Sequence, residues 1–129
     1  MNPDQLRHRT KRFALQVIGL VRSLPSDSTA QIIGRQLLRS ATSVGANYRS
    51  ACLAKSKPDM IAKLKVVEEE SDEAVYWLEL LLESGYSHND LPPLLTEGDE
   101  LRRIMAASAI TLRRADRSSP ASYPIVNSQ

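Results

Sequence analysis

Apolar residues recur at alternating steps of three and four along most of this chain, and charged residues fill the intervals. Side chains at those steps share one face of a helix that turns about 100° per residue, so the pattern predicts helices each buried along one stripe. The first runs from about Asp4 to Leu24 and lines up Leu6, Thr10, Phe13, Val17, Leu20, Val21 and Leu24. It stops at Leu24-Pro25, because the residue before a proline avoids helical geometry. The second opens at Ser28-Thr29-Ala30-Gln31, which reads as a capping box, and continues to about Ser56. Its stripe is Ile33, Leu37, Ser40, Ala41, Val44, Tyr48 and Ala51.

The third helix starts at Pro58, suited to a first turn, and ends at Gly85, suited to a C-terminal cap. Met60, Leu64, Val67, Ser71, Ala74, Val75, Leu78 and Leu82 form its stripe. The fourth begins around Asn89 to Pro93 and carries Leu94, Gly98, Leu101, Met105, Ser108 and Leu112, with Gly98 expected to bend or loosen its start. Short connections make consecutive helices neighbours, so the predicted fold is all-α, an antiparallel up-down-up-down four-helix bundle. The bundle is expected over residues 1–117, and residues 118–129, which lack any period, as a disordered C-terminal tail.

Some apolar residues fall outside these stripes. Val66, Trp77 and Leu80 lie to one side of the third stripe, and Leu15 falls among basic residues of the first helix. A monomeric bundle buries one stripe per helix, so these four are candidate subunit-interface positions. Ser40, Ser43 and Asn47 make a polar line beside the second stripe, read as small groups permitting close helix approach and an Asn fixing register.

With 42% hydrophobic and 25% charged residues, the composition is that of an ordinary single globular domain. The single cysteine, Cys52, excludes an intramolecular disulfide framework and reads as a small buried apolar residue. The polar, basic start from Met1 to Arg12 is unlike a signal peptide, and no run is apolar enough to span a bilayer. A cytoplasmic protein with no membrane partner is the expectation.

Net charge is only +2, but residues 58–85 set eight acids against Lys63 and Lys65, while the preceding helices are basic. Arg35, Arg39 and Arg49, extended by Arg7, Arg9, Lys11 and Arg12, form the candidate nucleic-acid-binding set, since phosphates need several cations on one surface. The same arginines could equally pair with Glu69, Glu70, Asp72 and Glu73 across helices or subunits, and charge alone does not choose. The only aromatic near the set, Tyr48, faces the core, so any binding is expected to follow phosphates with weak sequence preference.

Catalytic and metal chemistry find no foothold in the pattern. The run Glu68-Glu69-Glu70-Ser71-Asp72-Glu73 lacks the Glu-x-x-His motif of carboxylate-bridged metal bundles, and the two histidines, His8 and His88, have no second ligand at helical spacing. There is no Gly-x-Ser-x-Gly elbow, no activating motif around Cys52 and no glycine-rich phosphate loop. No catalytic residue, metal or cofactor is expected, and the protein is expected not to be an enzyme.

Three segments carry a family resemblance: Phe13-Ala14; Gln36-Leu37-Leu38-Arg39-Ser40-Ala41-Thr42-Ser43-Val44-Gly45-Ala46-Asn47-Tyr48-Arg49; and Lys63-Leu64-Lys65 through Asp72-Glu73 to Tyr76-Trp77-Leu78-Glu79-Leu80-Leu81. Together they resemble the four-helix-bundle proteins known as 23S rRNA-intervening-sequence proteins, over roughly residues 8–115 by helix length. Members are encoded within insertions in bacterial large-subunit rRNA genes and at other loci. The resemblance implies a barrel-like homopentamer. It extends to the accessory subunit of diversity-generating retroelements, which partners a reverse transcriptase and RNA. The run Val66-Val67-Glu68-Glu69-Glu70-Ser71 is more acidic than the family pattern, which weighs against a nucleic-acid surface on the third helix. Two readings follow: a self-assembling accessory module that binds structured RNA or DNA, or a protein-interaction scaffold whose arginines serve subunit salt bridges.

Overall fold

A computed structural model describes residues 1–118. Four helices, α1 (Pro3–Arg22), α2 (Ser28–Cys52), α3 (Lys57–Glu83) and α4 (Leu91–Ser118), pack around one core, and the described residues include no strand. Each helix packs on the next in sequence, and α1 closes the ring against α4. This all-α arrangement is consistent with a four-helix bundle. The residues expected as a tail beyond Ser118 lie outside the described ones.

Capping explains most of the helix limits. Asn2 and Gln5 form a reciprocal capping box at the start of α1. For α2 the expected box at Ser28 is replaced by Asp27, whose Oδ1 accepts from the Ala30 N–H at 2.8 Å, while Gln31 donates to the Pro25 carbonyl. Asp27 Oδ1 also accepts from the Tyr86 hydroxyl at 2.8 Å, which joins the α1–α2 connection to the α3–α4 connection. The amide and phenol hydrogen bonds, the amide first, hold the Asp27 carboxyl below its usual range. Helix α2 ends at Cys52 rather than Ser56, because Ser56 is extended and caps α3 through the Asp59 N–H. At the other end of α3, Gly85 takes φ +99, the Gly85 N–H meets the Leu82 carbonyl and the Tyr86 N–H meets that of Leu81. That is a Schellman termination, with the glycine where a left-handed residue is needed.

The stripes of α1 and α2 pack as their spacing predicts, with Val21 and Leu24 only partly buried. On α3 the expected Leu82 is 43% exposed and Leu81 is sealed instead. The buried sequence Leu64, Val67, Ser71, Ala74, Leu78, Leu81 advances by strict threes and fours, the 3.5-residue repeat of a supercoiled seam, and Leu82 falls off it. On α4, Ser108 is partly buried and Ala109 closes the core in its place.

Gly98 marks a close approach rather than a bend. A Cβ there would stand 2.9 Å from Val75 Cγ2 and 3.3 Å from Phe13 Cζ. The polar line of α2 is satisfied locally, since Ser40 donates to the Leu37 carbonyl, Ser43 to that of Arg39, and Asn47 Nδ2 to that of Ser43. Asn47 therefore bonds within its own helix and does not pin register across helices.

Candidate nucleic-acid interface

The seven candidate cations divide by what the neighbouring helix offers them. Arg9 points from α1 to α4, where Nε and Nη2 meet Glu97 Oε2 and Oε1 at 2.6 and 2.9 Å, and Nη2 meets Glu100 Oε1 at 2.6 Å. The Glu97 hydrogen bonds, supported by Glu100, raise its guanidinium above the ordinary range. Arg39 points from α2 to α3, hydrogen-bonded to Glu73, with Glu70 Oε1 3.5 Å from its Nη1. Glu73 also accepts from Trp77 Nε1 at 3.1 Å, and this bond, with Arg39, holds the carboxyl below its usual range. Both arginines join neighbouring helices through carboxylates.

Lys11 and Arg49 behave differently. They stand with Asp4, Arg7 and His8 around a groove of about 660 Å³ between α1 and α2. Its floor is small, made by Ala14, Thr42, Gly45 and Ala46. Gly45 lets α1 come close, since a Cβ there would lie 3.4 Å from Thr10 Oγ1. Among the described residues neither Lys11 nor Arg49 has a carboxylate within ion-pair distance, and Arg7 pairs only with exposed Asp4 in its own first turns. Arg12 and Arg35 are exposed but do not line the groove. Concentrated positive charge on a concave surface attracts anions, phosphates above all.

Arg7 also borders a second chamber, about 350 Å³, with Pro3, Ala51, Cys52, Ala54, Ser56, Lys57 and Met60. Cys52 is half-buried there, beside the buried Tyr48, whose hydroxyl is raised above its usual pKa by burial first and by the neighbouring thiol second. Sequence reasoning had not placed His8 or Asp4 in this site. The available signal was helical, because residues 4, 7, 8, 11 and 14 share one face of α1.

The four candidate interface residues also separate. Leu15 and Val66 are exposed, at 58% and 38%, whereas Trp77 and Leu80 pack partly against the monomer's own core. The indole of Trp77 meets the Tyr76 ring edge-on at a centroid distance of 5.0 Å. No helix among the described residues is long and apolar enough to cross a membrane, and no cluster of three or more His, Cys, Asp or Glu is placed to hold a metal ion.

No curated protein sequence matches this chain. Among solved structures, a crystal structure of a protein of unknown function from the S23 ribosomal protein family of Bacteroides thetaiotaomicron is similar, with a TM-score of 0.76 and 29% identity. The likeness covers 84% of this chain and 98% of that one. The sequence further matches the family described as 23S rRNA-intervening sequence protein over residues 5–107. With most of its length matched, and its four helices arranged like those of the solved structure, this chain belongs to the 23S rRNA-intervening sequence protein family.

Proposed function

We propose that this protein is a non-enzymatic accessory module that assembles with copies of itself and holds structured RNA or DNA by its phosphates. The observation that carries the reading is the convergence of Lys11 and Arg49, from different helices, on one groove where neither has a carboxylate partner among the described residues. Catalysis has no part in the reading: of the acid, imidazole and hydroxyl that line the groove, Asp4 pairs with Arg7 and Thr42 donates back to its own helix, so they form no relay.

In this reading the helices run up, down, up and down. Thr10 lies against Gly45 and Val21 against Gly34, while Val75 lies against Gly98 and Asp72 beside Arg102, so α1 with α2 and α3 with α4 have opposite senses. Self-assembly is supported by exposed Leu15 and Val66, joined by Ile32, Tyr76 and Leu82. The homopentamer implied by the family resemblance is the assembly expected. A reverse transcriptase is the protein partner that the same resemblance brings into the reading.

Binding of the purified protein to a structured RNA and a matched DNA duplex, measured across a salt series, tests the proposal. Affinity should fall with salt at a slope of roughly 0.9 per phosphate engaged. No binding at low salt would overturn it and leave the protein-interaction scaffold, with the arginines serving subunit salt bridges.

A further inference from the structure

The groove and the second chamber meet at Arg7, which stands in the wall of both. Lys11, His8 and Arg49 lie on one side of that junction, Lys57 and Cys52 on the other. Neither chamber has a Phe, Tyr or Trp in its lining, and the imidazole of His8 is the one ring a base meets there among the described residues. A ligand held here is therefore held mainly by its phosphates.

Asp4 lines the groove beside Arg7. Its carboxylate pairs with Arg7, but the side chains are 81% and 40% exposed, and an ion pair so exposed is easily exchanged for another anion. Building on the phosphate-binding reading above, we propose that a nucleic-acid backbone follows one path through both chambers, from Lys11 and Arg49 past Arg7 to Lys57 and Cys52. Asp4 is the carboxylate that the backbone displaces from Arg7. It is a built-in competitor that sets how strongly charged a ligand must be to enter.

Cys52, the only cysteine, lies in the wall of the far chamber and so reports on the path. The experiment is alkylation of Cys52 by uncharged N-ethylmaleimide, with and without a short labelled oligouridylate whose binding is followed in parallel by anisotropy. Bound oligonucleotide should slow alkylation severalfold. The folded Lys11→Ala/Arg49→Ala variant should lose both binding and protection, while Arg35→Ala, outside the groove, keeps both. Asp4→Asn should tighten binding about twofold to fourfold, the size of one exposed ion pair. If oligonucleotide binds but Cys52 reacts at its full rate, or if Lys11→Ala/Arg49→Ala binds like Arg35→Ala, the path is overturned while nucleic-acid binding stands. If the wild-type protein binds nothing at low salt, the functional reading falls and the path with it.

Discussion

Arg39 and Arg49 stand on the outward side of the same helix in opposite surroundings. Beside Arg39, α3 supplies Glu70 and Glu73, and the guanidinium closes a chain that continues to the indole of Trp77. Beside Arg49, α1 supplies Arg7, His8 and Lys11, and the positive charge is left to face solvent across a groove. Residue type and helix are shared, but ten residues turn the two side chains toward different neighbours, and the neighbour decides whether carboxylates meet the guanidinium. Arg9 makes the point again, since it sits in the most basic stretch of the chain and is captured by Glu97 and Glu100.

Charge reversal should break the comparison most sharply. Lys11→Glu/Arg49→Glu puts two carboxylates where phosphates would lie, and oligonucleotide affinity at low salt should fall on the order of 100-fold, with thermal stability nearly unchanged. Arg39→Glu should do the reverse. It sets a third carboxylate against Glu70 and Glu73, so the unfolding midpoint drops while binding by the folded protein stays close to wild type. Titrations paired with thermal melts separate the two, and a strong loss of binding in Arg39→Glu would erase the distinction.

Two of the buried glycines at helix contacts, Gly98 and Gly45, extend the contrast to packing. Gly98→Ala forces a methyl group against Val75 and Phe13, and should destabilise by about 1–2 kcal/mol despite the gain in helix propensity. The cost should shrink in a Val75→Ala background, which urea denaturation of the double-mutant cycle would show. Gly45→Ala meets only ordinary contact with Thr10, and should be neutral or stabilise by up to about 1 kcal/mol.

Acid should produce the smallest effect, again on the Arg39 side. The Glu73 carboxyl is held below its ordinary range, so its contribution is complete above about pH 4.3 and is lost as pH falls through the folded value. Trp77→Phe removes the principal hydrogen bond behind that shift and should flatten the acid limb of the stability profile. An unchanged limb would mean that Trp77 does not hold Glu73 in its charged form.

Much of this fold was legible in the chain. The stripes of α1 and α2 follow from spacing alone, because each apolar position is flanked by polar ones. Leu80, Leu81 and Leu82 defeat the same reasoning, since three consecutive leucines satisfy a straight and a supercoiled repeat equally, and only packing selects Leu81. Ser28 and Asp27 are both good caps, and the choice of Asp27 coincides with a phenol from a distant turn. The basic set was visible as a set, but its division was not. The partners of Arg9 lie 88 and 91 residues away, beyond any local pattern.

The shared oxygen of Asp27 has a consequence for cooperativity. One carboxylate oxygen receives both the Ala30 amide that opens α2 and the hydroxyl of Tyr86, 59 residues further along the chain. The amide's resistance to hydrogen exchange is thereby tied to docking of the α3–α4 connection as well as to the integrity of its own helix. Fraying at one end of α2 becomes a remote gauge of whether the second half of the molecule is in place. Ala30 is the position where a single exchange rate would read the closure of the whole bundle.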